Sequence, residues 1–223
     1  MTSILFRVSG VSGVAGKLLL AVAAALITLV PAAALAQPAA AAPATEPRAD
    51  NLTPQDREVL AAAEQLANDG SQVLEQWITN QAINETRLFA RLYFPIPKTD
   101  PQKYSTPYDA LADRDLVITE DKILTRSPML QYAIVTDING YVPAHNARFA
   151  QPLTGNTAQD YVSNRTKRIL GDFASLAAAR NEAHYLFQRV KLETGDVIYE
   201  ISVPVMVRGK HWGCARVGYR RAE

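Results

Sequence analysis

The chain has 223 residues, 48% hydrophobic and 20% charged, with 23 Lys and Arg against 22 Asp and Glu. This composition buries an ordinary core and excludes a disordered or fibrous chain, and the near-neutral balance counts against nucleic-acid binding. The single cysteine, Cys214, excludes an intrachain disulfide and any cysteine-rich zinc or iron–sulfur centre.

Residues 1–36 depart from that average. Arg7 and Lys17 are their only charges, residues 18–30 form a charge-free apolar run, and Ala34-Leu35-Ala36 sets small residues before Gln37. The pattern reads as a secretory signal peptide, which implies a periplasmic or secreted protein. The alternative is an uncleaved membrane anchor, because residues 18–36 carry no charge and approach the ~20 residues of a membrane span. No second run of that kind follows. Residues 37–52 are rich in Pro and Ala and read as a linker.

Thr53-Pro54-Gln55-Asp56 joins a capping hydroxyl, a proline at the first helical position and an acid three residues after the cap. A long helix over 53–94 is expected, since Leu60, Ala63, Ala67, Leu74, Trp77, Ile78, Leu88 and Leu92 recur at helical spacings before Pro95 and Pro97. Asn68-Asp69-Gly70-Ser71 marks a place for a kink. Residues 95–115 are rich in proline and turn formers and read as a surface segment.

Period-two patterns follow. Residues 130–138 are strand-like, Asn139-Gly140 predicts a hairpin turn, and Tyr141 and Val142 begin a return strand. Residues 160–170 and 173–179 read as short helices, and 184–192, 197–207 and 211–219 as an antiparallel meander. The expected fold class is α+β: a long N-terminal helix, then a domain over 95–223 with an antiparallel sheet and short flanking helices. Alternation puts Val197, Tyr199, Ile201, Val203, Val205 and Val207 on a face that packs a helix, and Ile198, Glu200, Ser202, Pro204 and Met206 on the other. Trp212, Cys214 and Arg216 share one side of the last strand. A polar half-buried sheet face under a loop or short helix would make a small-molecule pocket.

The basic run Asn164-Arg165-Thr166-Lys167-Arg168 has two readings. It is a solvated helix face, or Arg165 or Arg168 turns inward to hold a carboxylate. His145, His184 and His211 stand at no metal-ligand spacing, and no haem-attachment, nucleophile-elbow, phosphate-loop or zinc-protease motif occurs. Neither an enzyme nor a bound cofactor is expected, and Cys214 is expected to be buried.

Tyr93-Phe94-Pro95-Ile96-Pro97-Lys98-Thr99-Asp100-Pro101, Asp137-Ile138-Asn139-Gly140-Tyr141-Val142-Pro143-Ala144-His145-Asn146, Asn164-Arg165-Thr166-Lys167-Arg168-Ile169, Ala178-Ala179-Arg180-Asn181 and Gly209-Lys210-His211-Trp212-Gly213 occur in that order. Together they resemble a Cache/PAS-like sensory region of bacterial methyl-accepting chemotaxis proteins, over about residues 87–219. The resemblance implies a long helix leading into a PAS-like antiparallel sheet, with signal sensing in chemotaxis as the role. Such receptors carry a transmembrane helix, a HAMP linker and a methylated coiled coil, none of which is legible after Tyr219. The implied protein is therefore a detached periplasmic sensory domain that binds a small molecule and presents it to a separate membrane receptor.

Within the matching segments and the strands, His145, Asn146, Arg148, Arg165, Arg168, Gln188, His211 and Arg216 are the candidate ligand-binding residues. The arginines favour a small organic anion. Two alternatives stand beside this reading. One is an interaction protein that forms a homodimer without a ligand, and the other is a haem or redox sensor using His145 or His211.

Overall fold

A computed structural model describes residues 52–192 and 194–221. The expected signal segment and residues 37–51 of the linker lie outside the described residues. The observed class is α+β.

Helix α1 (Pro54–Thr79) starts on a reciprocal cap: Asp56 N–H donates to Thr53 Oγ1 at 3.2 Å, and Thr53 N–H donates to Asp56 Oδ2 at 2.8 Å. It runs helical through the expected kink. A Cβ on Gly70 would come within 3.2 Å of a Val135 methyl, so the glycine lets the helix lie close on the sheet instead of breaking it. The helix ends at Thr79, well short of residue 94. Asn80 caps it, and Gln81 takes the left-handed φ of 58° that turns the chain away. A single turn, α2 (Glu85–Leu88), resumes behind an Asn84 cap.

Strands β1 (Phe94–Ile96) and β2 (Lys103–Ser105) pair antiparallel as a strap. The following segment is not all surface loop. It contains helix α3 (Asp109–Leu124), whose buried Ala112, Leu116, Glu120 and Ile123 face α1 and the sheet.

Strand β3 (Leu130–Asp137) leads into the expected Asn139-Gly140 turn, where Gly140 has φ 76°. The hairpin itself does not form. The Asp137 carboxylate accepts the N–H groups of Asn139 and Tyr141 at 2.9 and 3.0 Å, and β4 (Tyr141–Val142) pairs instead with β5 (Arg168–Ile169). Helix α4 (Thr157–Ser163) stops before the basic run, which is therefore not a helix face. Asn164 caps α4, Lys167 turns the chain at φ 61°, and Arg168 belongs to β5. Helix α5 (Phe173–Ala179) forms where its pattern lies.

Strands β6 (Leu186–Lys191), β7 (Val197–Val207) and β8 (Lys210–Tyr219) make the expected meander, and β3 adds to β8 in an antiparallel sheet of order β3-β8-β7-β6. One face carries Ile201, Val203, Val205, Ala215 and Val217 against Val59, Ala63, Leu66 and Leu74 of α1. Trp212 joins this core, opposite to the side that simple alternation gives it, because the register shifts between Val205 and Met206. Its ring meets Tyr108 edge-on at 5.9 Å and its indole N–H donates to Leu88 C=O at 3.2 Å. At one end of the domain the buried Asp56 accepts from the Tyr219 hydroxyl and, at 2.6 and 3.0 Å, from Arg221.

Glu120 gives the core a pH dependence. Its Oε1 accepts from Val135 N–H at 2.9 Å, while Oε2 is buried with no hydrogen-bond partner among the described residues. Burial holds its pKa well above the usual carboxyl range. The group stays protonated in the fold at a pH where the unfolded chain ionises, so the stability it contributes is complete below the unfolded pKa and falls as pH rises. The slope is about 1.4 kcal/mol per pH unit until the buried carboxyl itself ionises. Glu120→Gln is expected to remove that decline relative to the parent, as measured by urea unfolding at pH 5, 6 and 7.

Candidate ligand-binding site

The other face of the sheet is polar at its centre. Each of the four strands contributes one side chain to a row: Tyr132 from β3, Arg216 from β8, Glu200 from β7 and Gln188 from β6. The Glu200 carboxylate, fully buried, is the common acceptor. Arg216 donates to Oε2 through Nε at 3.0 Å and Nη2 at 2.9 Å, the Tyr132 hydroxyl donates to the same oxygen, and Gln188 Nε2 donates to Oε1 at 2.8 Å. Burial opposes the charge on Arg216, and the carboxylate outweighs it, so the guanidinium stays protonated. Arg216 Nη1 is buried and has no hydrogen-bond partner among the described residues.

Above this row lies a cavity of about 500 Å³. The residue 165–172 segment and the start of α5 cover it, and its walls include Ile134, Val142, Leu170, Phe173, Val190 and Leu192. Lys103 of the strap fixes the covering segment: its Nζ donates to Asn164 Oδ1 and Thr166 C=O, both at 2.6 Å. Burial first, and the nearby Arg168 and Lys167 second, push the Lys103 pKa down to about 8.

Of the eight candidate residues, three line this cavity: His145, Arg165 and Arg216. The His145 ring stands edge-on to Phe149 at 5.0 Å and to Tyr132 at 6.4 Å, and its Nδ1 is buried with no hydrogen-bond partner among the described residues. Burial, then Arg165, Arg148, Arg216 and Arg168, hold the imidazole pKa well below its usual value. It is a neutral ring in a positive field. Arg165 stacks its guanidinium 4.4 Å over Phe149.

The other five do not line it. Asn146 is a cross-link, accepting from Ala133 N–H at 2.9 Å and donating to Asp121 at 3.1 Å. Arg148 donates to Gln131 C=O and lies 4.8 Å over Phe149. Arg168 lies 4.3 Å over Tyr161. Gln188 supports Glu200 from the edge strand and also donates to Ala174 C=O at 3.0 Å. His211 is at the far end of β8, with Nε2 2.8 Å from Gly213 C=O.

Tyr132, Asp172 and Ser175 also line the cavity, and Glu200 lies beneath it, though none was a sequence candidate. Glu200 carried a usable signal: it is the charged residue on the polar face of the longest strand pattern. Asp172 caps α5 by accepting from Ser175 N–H at 3.0 Å. Cys214 is buried beside Thr136, with Sγ 3.4 Å from the hydroxyl, and burial pushes its pKa up to about 12, so it stays a thiol. Among the described residues no helix is long and apolar enough to cross a membrane, and no three His, Cys, Asp or Glu side chains group as metal ligands.

No protein-family model matches the chain. No curated protein matches it either. Among solved structures, an extracellular ligand-binding receptor from Desulfohalobium retbaense is similar over 76% of this chain and 26% of its own, at 10% identity and a TM-score of 0.34. The chain thus spans about a quarter of that receptor's length. Similarity at that level assigns neither a fold family nor a ligand.

Proposed function

We propose that this chain is an exported small-molecule-binding sensory domain of the Cache/PAS-like kind, and that its ligand is a small organic anion held in the cavity over β3, β8, β7 and β6. One observation carries the reading. Two buried polar atoms without partners among the described residues, His145 Nδ1 and Arg216 Nη1, belong to residues that line the same cavity. Native folds leave few such atoms, each costing about 1–3 kcal/mol, and a ligand acceptor would satisfy Arg216. The positive field of four arginines around His145 favours an anion. A long helix packed on an antiparallel sheet is consistent with the chemotaxis-receptor resemblance, and delivery of the signal to a separate membrane receptor follows from it.

Thermal unfolding of the purified protein against organic acids, amino acids, amines and purines tests this reading. A compound at 100 times its Kd should stabilise the fold by about 2.7 kcal/mol, a rise of several degrees in Tm. Arg165→Ala should suppress the shift. Absence of a shift across the panel would overturn the proposal, as would a Soret band in the purified protein, which would assign the cavity to haem.

A further inference from the structure

We infer that the cavity selects a small monocarboxylate with an apolar or aromatic body, its head received by Arg216 Nη1 and His145 Nδ1. This rests on the ligand-binding reading above and narrows it to a chemical class. The first argument is donor count. Arg216 spends Nε and Nη2 on Glu200 Oε2, so among the described residues Nη1 is left without an acceptor, and the two-nitrogen edge that would clasp a carboxylate side-on is already occupied. One carboxylate oxygen takes Nη1. The other falls to the neutral His145 ring, which donates one N–H in the Nδ1–H tautomer.

The second argument is charge. Arg165, Arg148, Arg216 and Arg168 act on His145, so an ammonium head there is repelled. A second carboxylate on the ligand would meet the Asp172 carboxylate in the wall, while the wall's two further cations, Arg189 and Lys191, are exposed and screened by solvent. The third argument is the wall itself. Ile134, Val142, Leu170, Val190 and Leu192 offer an apolar bed for the body of the ligand. Phe173 sits in the same wall with 82% of its surface exposed, an aromatic ring left in water at the cavity. A bound apolar body would cover it.

Calorimetry and thermal unfolding of the purified protein with phenylacetate, 4-methylvalerate, succinate, citrate, phenethylamine and phenylalanine test the class. Phenylacetate or 4-methylvalerate should raise Tm, while succinate, citrate and phenethylamine should not. His145→Leu should weaken that binding about tenfold, the worth of one hydrogen bond to a charged group. Phe173→Ser should weaken phenylacetate binding while leaving the Tm of the free protein unchanged, since the ring is exposed. A larger shift with succinate, citrate or phenethylamine would overturn the monocarboxylate class and leave the binding site standing. So would a larger shift with phenylalanine, which would give Asp172 an ammonium to hold. Silence from these six compounds together with the wider panel would overturn the site itself.

Discussion

Glu200→Ala should lower stability by about 3–5 kcal/mol and abolish ligand binding, because it removes the acceptor on which the whole polar row converges. Arg216 would keep its charge in a buried site without a counterion, and the Tyr132 hydroxyl and the Gln188 amide would each lose an acceptor. The loss measures an uncompensated charge more than the worth of the pair. Replacing both partners, as Glu200→Leu with Arg216→Met, should therefore recover much of the stability while leaving binding absent. Urea unfolding separates the two outcomes. A single variant that loses less than about 1 kcal/mol would mean that the row is not holding Arg216.

Asp137→Ala should cost at least about 4 kcal/mol, for a different reason. Its buried carboxylate closes β3 by accepting from Tyr93 OH at 2.5 Å, Tyr108 OH at 3.2 Å and the N–H groups of Asn139 and Tyr141, with Arg91 Nη1 3.8 Å away. Truncation strands two phenols and two backbone donors at once, and each stranded donor costs about 1–3 kcal/mol. The same carboxylate is what the turn after β3 uses in place of a hairpin partner. Asp137→Asn keeps the shape but points an amide at donors on one side, so an intermediate loss is expected. Urea unfolding followed by circular dichroism reads both variants, and equal stability of Asp137→Ala and the parent would remove Asp137 as the anchor of this corner.

The legible parts of the fold are those whose signals are local. The Thr53 cap, helix α5 and the meander follow from neighbours in sequence, and alternation assigns Glu200 and Arg216 each to a side of its own strand, but it takes the register between β7 and β8 to bring the two onto one face. Helix α3 escaped because its buried stripe includes Glu120, a charged residue until the fold neutralises it, and because Val117, Ile118 and Thr119 are β-formers inside it. The Asn139-Gly140 signal correctly marks a turn but not the strand pairing, which Asp137 diverts. In the basic run, one left-handed residue, Lys167, puts Arg165 at the cavity and Arg168 on Tyr161, a split that no spacing rule reveals. The cavity itself joins residues from 132 to 216, which only the sheet order and the covering 165–172 segment and α5 bring together.

The Asp56 clamp has a mechanical consequence. It fastens the first turn of α1 to Tyr219 and Arg221, so the chain enters and leaves the folded body at one point. A tension applied between those two places bears first on a carboxylate held by a phenol and a guanidinium, ahead of the β-ladders behind it.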